Sequence, residues 1–248
     1  MNLLACSPSR STRGALVALG TMLLALCLPA SAAAADPTVT QTREVAAFQD
    51  LTLSTRAMVV VRQGAQNAVR VEAGEQVLPL ISTRVEKDSL VVEDLRAYKS
   101  PARVTITVRN LRSLGMGESV AVVAEGLNLP ALALTMGGSS QLILKAVSVR
   151  KLDVALGGSS AVKADGQVDE LSVALGGSSA LHASALEAGA VSLTAGGSAQ
   201  AVVWALKSMS AAVGGSASVG YYSDTMGSVK SGGSATVHRL GSAPPKPQ

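Results

Sequence analysis

The stretches MGGSSQL (136–142), LGGSSAV (156–162), LGGSSAL (175–181), AGGSAQA (195–201), VGGSASV (213–219) and SGGSATV (231–237) repeat one small motif. Their first glycines stand at Gly137, Gly157, Gly176, Gly196, Gly214 and Gly232, at steps of 20, 19, 20, 18 and 18 residues. A fixed period of this size marks stacked units, none of which buries its apolar face alone. A Gly/Ser linker has neither constant spacing nor apolar residues between its glycines.

The residues ahead of each turn identify the unit. Five positions ahead stand Leu132, Leu152, Leu171, Val191 and Met209, and one ahead stand Met136, Leu156, Leu175, Ala195 and Val213. Three ahead stand Leu134, Val154, Val173, Leu193, Ala211 and Val229, with small or polar residues such as Asp153, Ser172 and Thr194 in between. Such period-two alternation predicts a β-strand with one face inward. A shorter strand follows each turn, with Leu142, Val162, Leu181, Ala201, Val219 and Val237 in one column. RSLGMGESVAV (112–122) is an earlier, imperfect copy in which Glu118 replaces the second glycine.

Each repeat therefore reads strand, Gly-Gly-Ser corner, strand and a looser return. The 3.6-residue spacing of a helical solenoid and the Leu/Asn pattern of a leucine-rich repeat are both absent. Parallel stacking at ~4.8 Å per rung gives an all-β fold, a right-handed parallel β-helix (β-solenoid) with rungs of about 19 residues. The corner needs positive φ, which glycine supplies without steric cost.

Ahead of this domain, Arg10 and Arg13 precede the apolar run GALVALGTMLLALCL, followed by Pro29 and ASAAAAD. That order predicts a secretory signal peptide over 1–35, cleaved after Ala32 or Ala35. About 15 apolar residues fall short of the ~20 of a bilayer span, so no stable membrane span is expected after cleavage. Cys27 sits where a lipidated cysteine would, but Leu26 before it is bulky where a small residue is expected. Cys6 and Cys27 leave with the signal, so the mature chain has no disulfide despite its export route. Losing Arg10 and Arg13 lowers the formal charge from +4 to about +2. The remaining basic residues are scattered and nearly matched by acids, which argues against nucleic acid.

Residues 36–240 are expected to form a single domain, with irregular opening coils over 36–112 and regular rungs over 113–240. The alternative for 36–112 is a small separate β domain. In the Pro-rich tail, 241–248, prolines cannot add a strand, and the tail is expected to shield the open edge of the last coil.

REVAAFQDLTLSTRAMVVVRQGAQNAVRVEAG (43–74), STRVEKDSLVVED (82–94) and the repeated LxVALGGSSxL together resemble the head GIN domain family. The resemblance runs over roughly 41–240 and implies a right-handed β-helix in an exported bacterial protein of the kind labelled autotransporter adhesin heads. It implies no catalytic motif. An autotransporter needs a C-terminal membrane barrel, and eight residues follow Leu240, so self-transport is not expected.

Four residue sets bear on chemistry. Polysaccharide-cleaving β-helices need clustered carboxylates, yet Asp153 has Ala133 and Ser172 at the matching positions, and Asp169 and Glu170 point to opposite faces if extended. Ser119, Ser139, Ser159, Ser178, Ser198, Ser216 and Ser234 form one column, without a GxSxG elbow or a matching histidine. They are read as hydroxyls satisfying the backbone of the turns. His182 and His238 share an outward column three rungs apart, about 14 Å, too far for one metal. Trp204, Tyr221 and Tyr222 remain. Trp204 and Tyr222 are expected to neighbour each other on successive rungs, as a sugar platform or as a cap over the return.

The expected function is a non-enzymatic binding or structural module of the cell envelope, adhesin-like, without cofactor or metal. The expected location is the periplasm, outer surface or medium. Its partner would be an envelope protein or a glycan, and the exposed terminal coil would allow edge-mediated self-association. The alternatives are a polysaccharide-active β-helix enzyme and a self-assembling envelope scaffold.

Overall fold

The computed structural model describes residues 38–225 and 227–245. The expected signal peptide and both cysteines lie outside them. The strands in chain order are β1 (Thr38–Arg43), β2 (Asp50–Ser54), β3 (Met58–Gln63), β4 (Ala68–Gly74), β5 (Ile81–Glu86), β6 (Ser89–Asp94), β7 (Ala102–Val108), β8 (Ser113–Met116) and β9 (Ala121–Glu125). They continue as β10 (Asn128–Met136), β11 (Gln141–Leu156), β12 (Ala161–Leu175), β13 (Ala180–Ala195), β14 (Gln200–Val213), β15 (Ser218–Tyr222), β16 (Ser228–Ser231) and β17 (Thr236–Gly241).

From β8 onward the chain is a parallel β-solenoid. β10 pairs with β11, β11 with β12, β12 with β13 and β13 with β14, all parallel. The apolar columns read from the sequence stack residue on residue: Leu132, Leu152, Leu171, Val191 and Met209 are each in register with the next. All five are 3 % exposed or less, so each contributes about 1.5–3 kcal/mol of burial.

The looser return of the sequence reading is instead a third β-face. β11, β12, β13 and β14 are 14 to 16 residues long because each bends round two edges without leaving the ladder. The first face precedes the Gly-Gly-Ser corner, the second follows it, and the third closes the rung. The edges of the third face absorb the differences in repeat length, as register shifts after Leu144, Lys163 and Ala183 at its entry and after Ala188 at its exit. Ala146 takes positive φ at the entry edge.

Each Gly-Gly-Ser corner assigns a different task to each residue. The second glycine alone is left-handed: Gly138, Gly158, Gly177, Gly197, Gly215 and Gly233 have φ from +62° to +72°. A Cβ on Gly177 would lie 2.6 Å from the Gly158 carbonyl oxygen, whereas on Gly176 the nearest atom is 3.8 Å away. The serine N–H then donates to the second glycine one rung below, as Ser178 does to Gly158 O at 2.8 Å. In the imperfect copy the positive φ moves to Ser119.

The serine column corrects the sequence reading. Ser139, Ser159, Ser178, Ser198, Ser216 and Ser234 are exposed. The turn is served by the residue after them: the buried Ser140 and Ser160 hydroxyls donate to Gly137 O and Gly157 O at 2.9 and 2.8 Å. Only this fourth position turns inward, so only its hydroxyl lies under the corner.

The opening residues depart from consecutive coils. On the first face β2 lies between β6 and β8, and on the second face β3 lies between β7 and β9. The coil made of β6 and β7 is thus inserted beneath the coil made earlier by β2 and β3. Between the two, the chain reverses through β4, which runs antiparallel to β7 and to β1, and through β5, antiparallel to β6. Val77, Leu78 and Ile81 are buried around the short 3₁₀ turn Leu78–Leu80 and close the N-terminal end of the core. At the other end Val229 remains 37 % exposed and Leu240 49 %, so the described tail residues leave part of the last coil uncovered.

Candidate functional site

On the third face each rung offers one outward position between two edges. Register pairs place Asn128, Ser148, Gln167, Glu187, Trp204 and Tyr222 in this single row. Inward partners, Leu129, Val149, Val168, Ala188 and Ala205, are buried beneath it. Beside the row, at the edge leading to the first face, stand Pro130, Arg150, Asp169, Gly189 and Lys207. A groove of about 440 Å³ lies between them, lined from Asn128 to Lys207. Five rungs take part, so it runs over about 19 Å.

Gly189 shapes the groove floor. A Cβ there would sit 2.6 Å from the Asp169 carbonyl oxygen, so only glycine lets the two rungs close up at this point. Glu187 is half-buried, and Gln167 donates to it at 3.5 Å. Among the described residues, Arg150, Asp169, Glu187 and Lys207 take part in no ion pair, whereas Arg62, Glu125 and Lys145 form a ladder of pairs on the second face. The groove holds two cations and two anions, so its formal charge is zero.

The three aromatic candidates do not share one face. Trp204 is in register with Tyr222, and Val203 with Tyr221. Trp204 and Tyr222 are therefore neighbours in the outward row, continuing it past the groove, and both are half-buried. Tyr221 turns the other way and packs against the core. Missing from the sequence reading was the grouping of the groove residues on one face. The return was read as loose, so Gln167, Glu187 and Lys207 were not seen to share a face. The Gly166–Gln167–Val168 alternation was the available signal.

The other faces carry less chemistry. The first face shows Ala133, Asp153, Ser172, Ser192 and Ser210 in one row and Thr135, Ala155, Ala174, Thr194 and Ala212 in the next. His182 and His238 share a row of the second face, with Val202 and Gly220 between them. Near the N-terminal end, Asp94 accepts from Thr55 Oγ1 at 2.6 Å, the Arg56 N–H at 2.8 Å and the Tyr98 hydroxyl at 3.3 Å. This hub staples the inserted coil to its neighbour, and burial pushes the Tyr98 hydroxyl above its ordinary pKa. Arg43 donates to Leu78 O at 2.8 Å and Thr83 Oγ1 at 3.0 Å, and burial lowers its pKa. Arg84 bonds both oxygens of Glu93, and that hydrogen bond holds the Glu93 carboxyl below the usual carboxylate range.

Residues 47–225 match the family model described as "Putative auto-transporter adhesin, head GIN domain". The chain belongs to this family. Solved structures share the fold of this head GIN chain at low sequence identity. One is a putative adhesin from Bacteroides fragilis, with TM-score 0.74, 20 % identity, 82 % of this chain covered and 96 % of that one. Another, a putative lipid binding protein from Parabacteroides distasonis, gives TM-score 0.68 and 17 % identity over 82 % and 96 % of the two chains. A putative adhesin from the same species gives TM-score 0.64 and 16 % identity over 82 % and 98 %. No curated protein matches. The head GIN match spans the groove and Trp204 and Tyr222.

Proposed function

We propose that this head GIN chain is an exported, adhesin-like binding module that holds its ligand on the third face without chemical turnover. The observation behind this reading is the outward row itself: amide, hydroxyl and carboxylate side chains stand at one-rung intervals along one groove, and two aromatic side chains continue the row past it. The first face, by contrast, is a field of small residues. A rigid parallel ladder holds such a row with little freedom to lose on binding, which favours affinity. Family membership supports the adhesin-like role, and the basic, apolar, small-residue order of 1–35 supports export.

The test is adhesion of the purified full chain to fragments of envelopes and surfaces from its own habitat. E187Q and Y222A, each on the third face, should weaken retention at least tenfold, while S192A on the first face should leave it unchanged. Equal retention by all three variants would remove the third face from the function.

A further inference from the structure

We infer that the third-face groove takes an extended, uncharged glycan, read along its length by the row from Asn128 to Tyr222; this rests on the reading of that face as the binding surface. Three features of the site select this ligand class.

First, the groove lies on the face of a ladder and not at its edge. The rungs beneath it are paired on both sides from β11 to β13. An extended peptide binds sheets chiefly by adding a strand to a free edge, through main-chain hydrogen bonds. Here those groups are already used, so recognition falls to side chains. Second, these side chains suit hydroxyl groups. Asn128 and Gln167 each carry a donor and an acceptor, Ser148 supplies a hydroxyl, and the Glu187 carboxylate accepts from two neighbouring hydroxyls at once. Trp204 and Tyr222 follow on successive rungs. They offer apolar ring faces with a polar tip, which match the C–H face of a sugar ring and its rim of hydroxyls. Third, Arg150 and Lys207 are balanced by Asp169 and Glu187, all within the same groove. A polyanionic chain gains no net attraction and meets two carboxylates.

The ligand lies along the solenoid axis, its polar-bound units over Ser148, Gln167 and Glu187 and its stacked units over Trp204 and Tyr222.

The experiment is calorimetric titration of the full chain with four uncharged hexasaccharides (cellohexaose, xylohexaose, mannohexaose and N-acetylchitohexaose) and with hexagalacturonate as the charged counterpart. At least one uncharged hexasaccharide should bind, with hexagalacturonate at least tenfold weaker. Q167A and W204A should each weaken that binding at least tenfold, with circular dichroism unchanged for the exposed Q167A. Binding of none of the four, preference for hexagalacturonate, or unchanged affinity in Q167A overturns the glycan assignment. The envelope assay separates the two readings: retention that depends on the third face but disappears when the fragments are treated with protease sinks the glycan and leaves the binding face standing. Reducing ends released from a bound hexasaccharide would overturn the non-enzymatic reading instead.

Discussion

Gly176 and Gly177 are adjacent in sequence and identical in type, yet the fold makes opposite demands on them. Gly177 has φ +68°, and a Cβ there meets the Gly158 carbonyl oxygen at 2.6 Å. Left-handed backbone costs an L-residue about 1–2 kcal/mol, and a methyl group forced into a packed ladder adds about 1–3 kcal/mol. G177A should thus lose about 2–5 kcal/mol. Gly176 is not among the positive-φ glycines, and its Cβ would find no atom closer than 3.8 Å. G176A should change stability by no more than about 0.5–1 kcal/mol, in the stabilising direction if restriction of the unfolded chain dominates. The assay is urea unfolding followed by fluorescence of Trp204, the single tryptophan, and by far-UV circular dichroism. With a urea slope of roughly 2 kcal/mol per molar, G177A should move the midpoint down by about 1–2.5 M while G176A stays near the parent. Equal loss in the two variants, or a neutral G177A, refutes the stacked-corner geometry.

The hydroxyl column gives a second contrast. S160A should cost about 1 kcal/mol, because its hydroxyl serves Gly157 O, whereas S159A, on the exposed neighbour, should be neutral by the same urea assay. S179A should be neutral or stabilising, since Ser179 Oγ is buried without a partner and alanine already fills this position at Ala199 and Ala217. R43A should release β1 from the N-terminal turn, which hydrogen exchange would read as faster amide exchange over 38–43 with the rungs beyond β10 unchanged. Burial raises the Tyr98 pKa on folding, so its contribution is full below the unfolded value of about 10 and is lost as pH rises through the folded one. Y98F should therefore flatten the alkaline arm of a stability–pH curve and leave the acid arm in place.

The regular rungs were legible because three independent signals agreed: the period, the alternation and the glycine pairs. Each inward column drawn from the sequence reappears in register, from Leu132 to Met209 and from Leu142 to Val237. The opening was less legible. Nothing local in MVVVRQG or ARVTITV says that β7 lies beneath β3, because parallel neighbours far apart in sequence leave no turn signature between them. Alternation marked these strands but could not order them. The third face was hidden for a related reason. It offers about three residues per rung, bounded by register shifts, too short a run for a period to show. Trp204 and Tyr222 were nevertheless found as neighbours, because the corner-to-residue count happens to be equal in those two rungs. Gln167 and Glu187 sit ten and eleven residues past their own first glycines, and this one-residue slip concealed their pairing.

The register of the third-face row is tested most directly by cysteine pairs in a chain carrying C6S and C27S. Adjacent rungs lie ~4.8 Å apart, within the 4.4–6.8 Å Cα separation that a disulfide spans; positions two rungs apart, at about 9.6 Å, are beyond it. Q167C with E187C should cross-link in air with unchanged circular dichroism, and Q167C with W204C should stay reduced. A disulfide in the second pair but not the first would contradict the row on which the binding face is built.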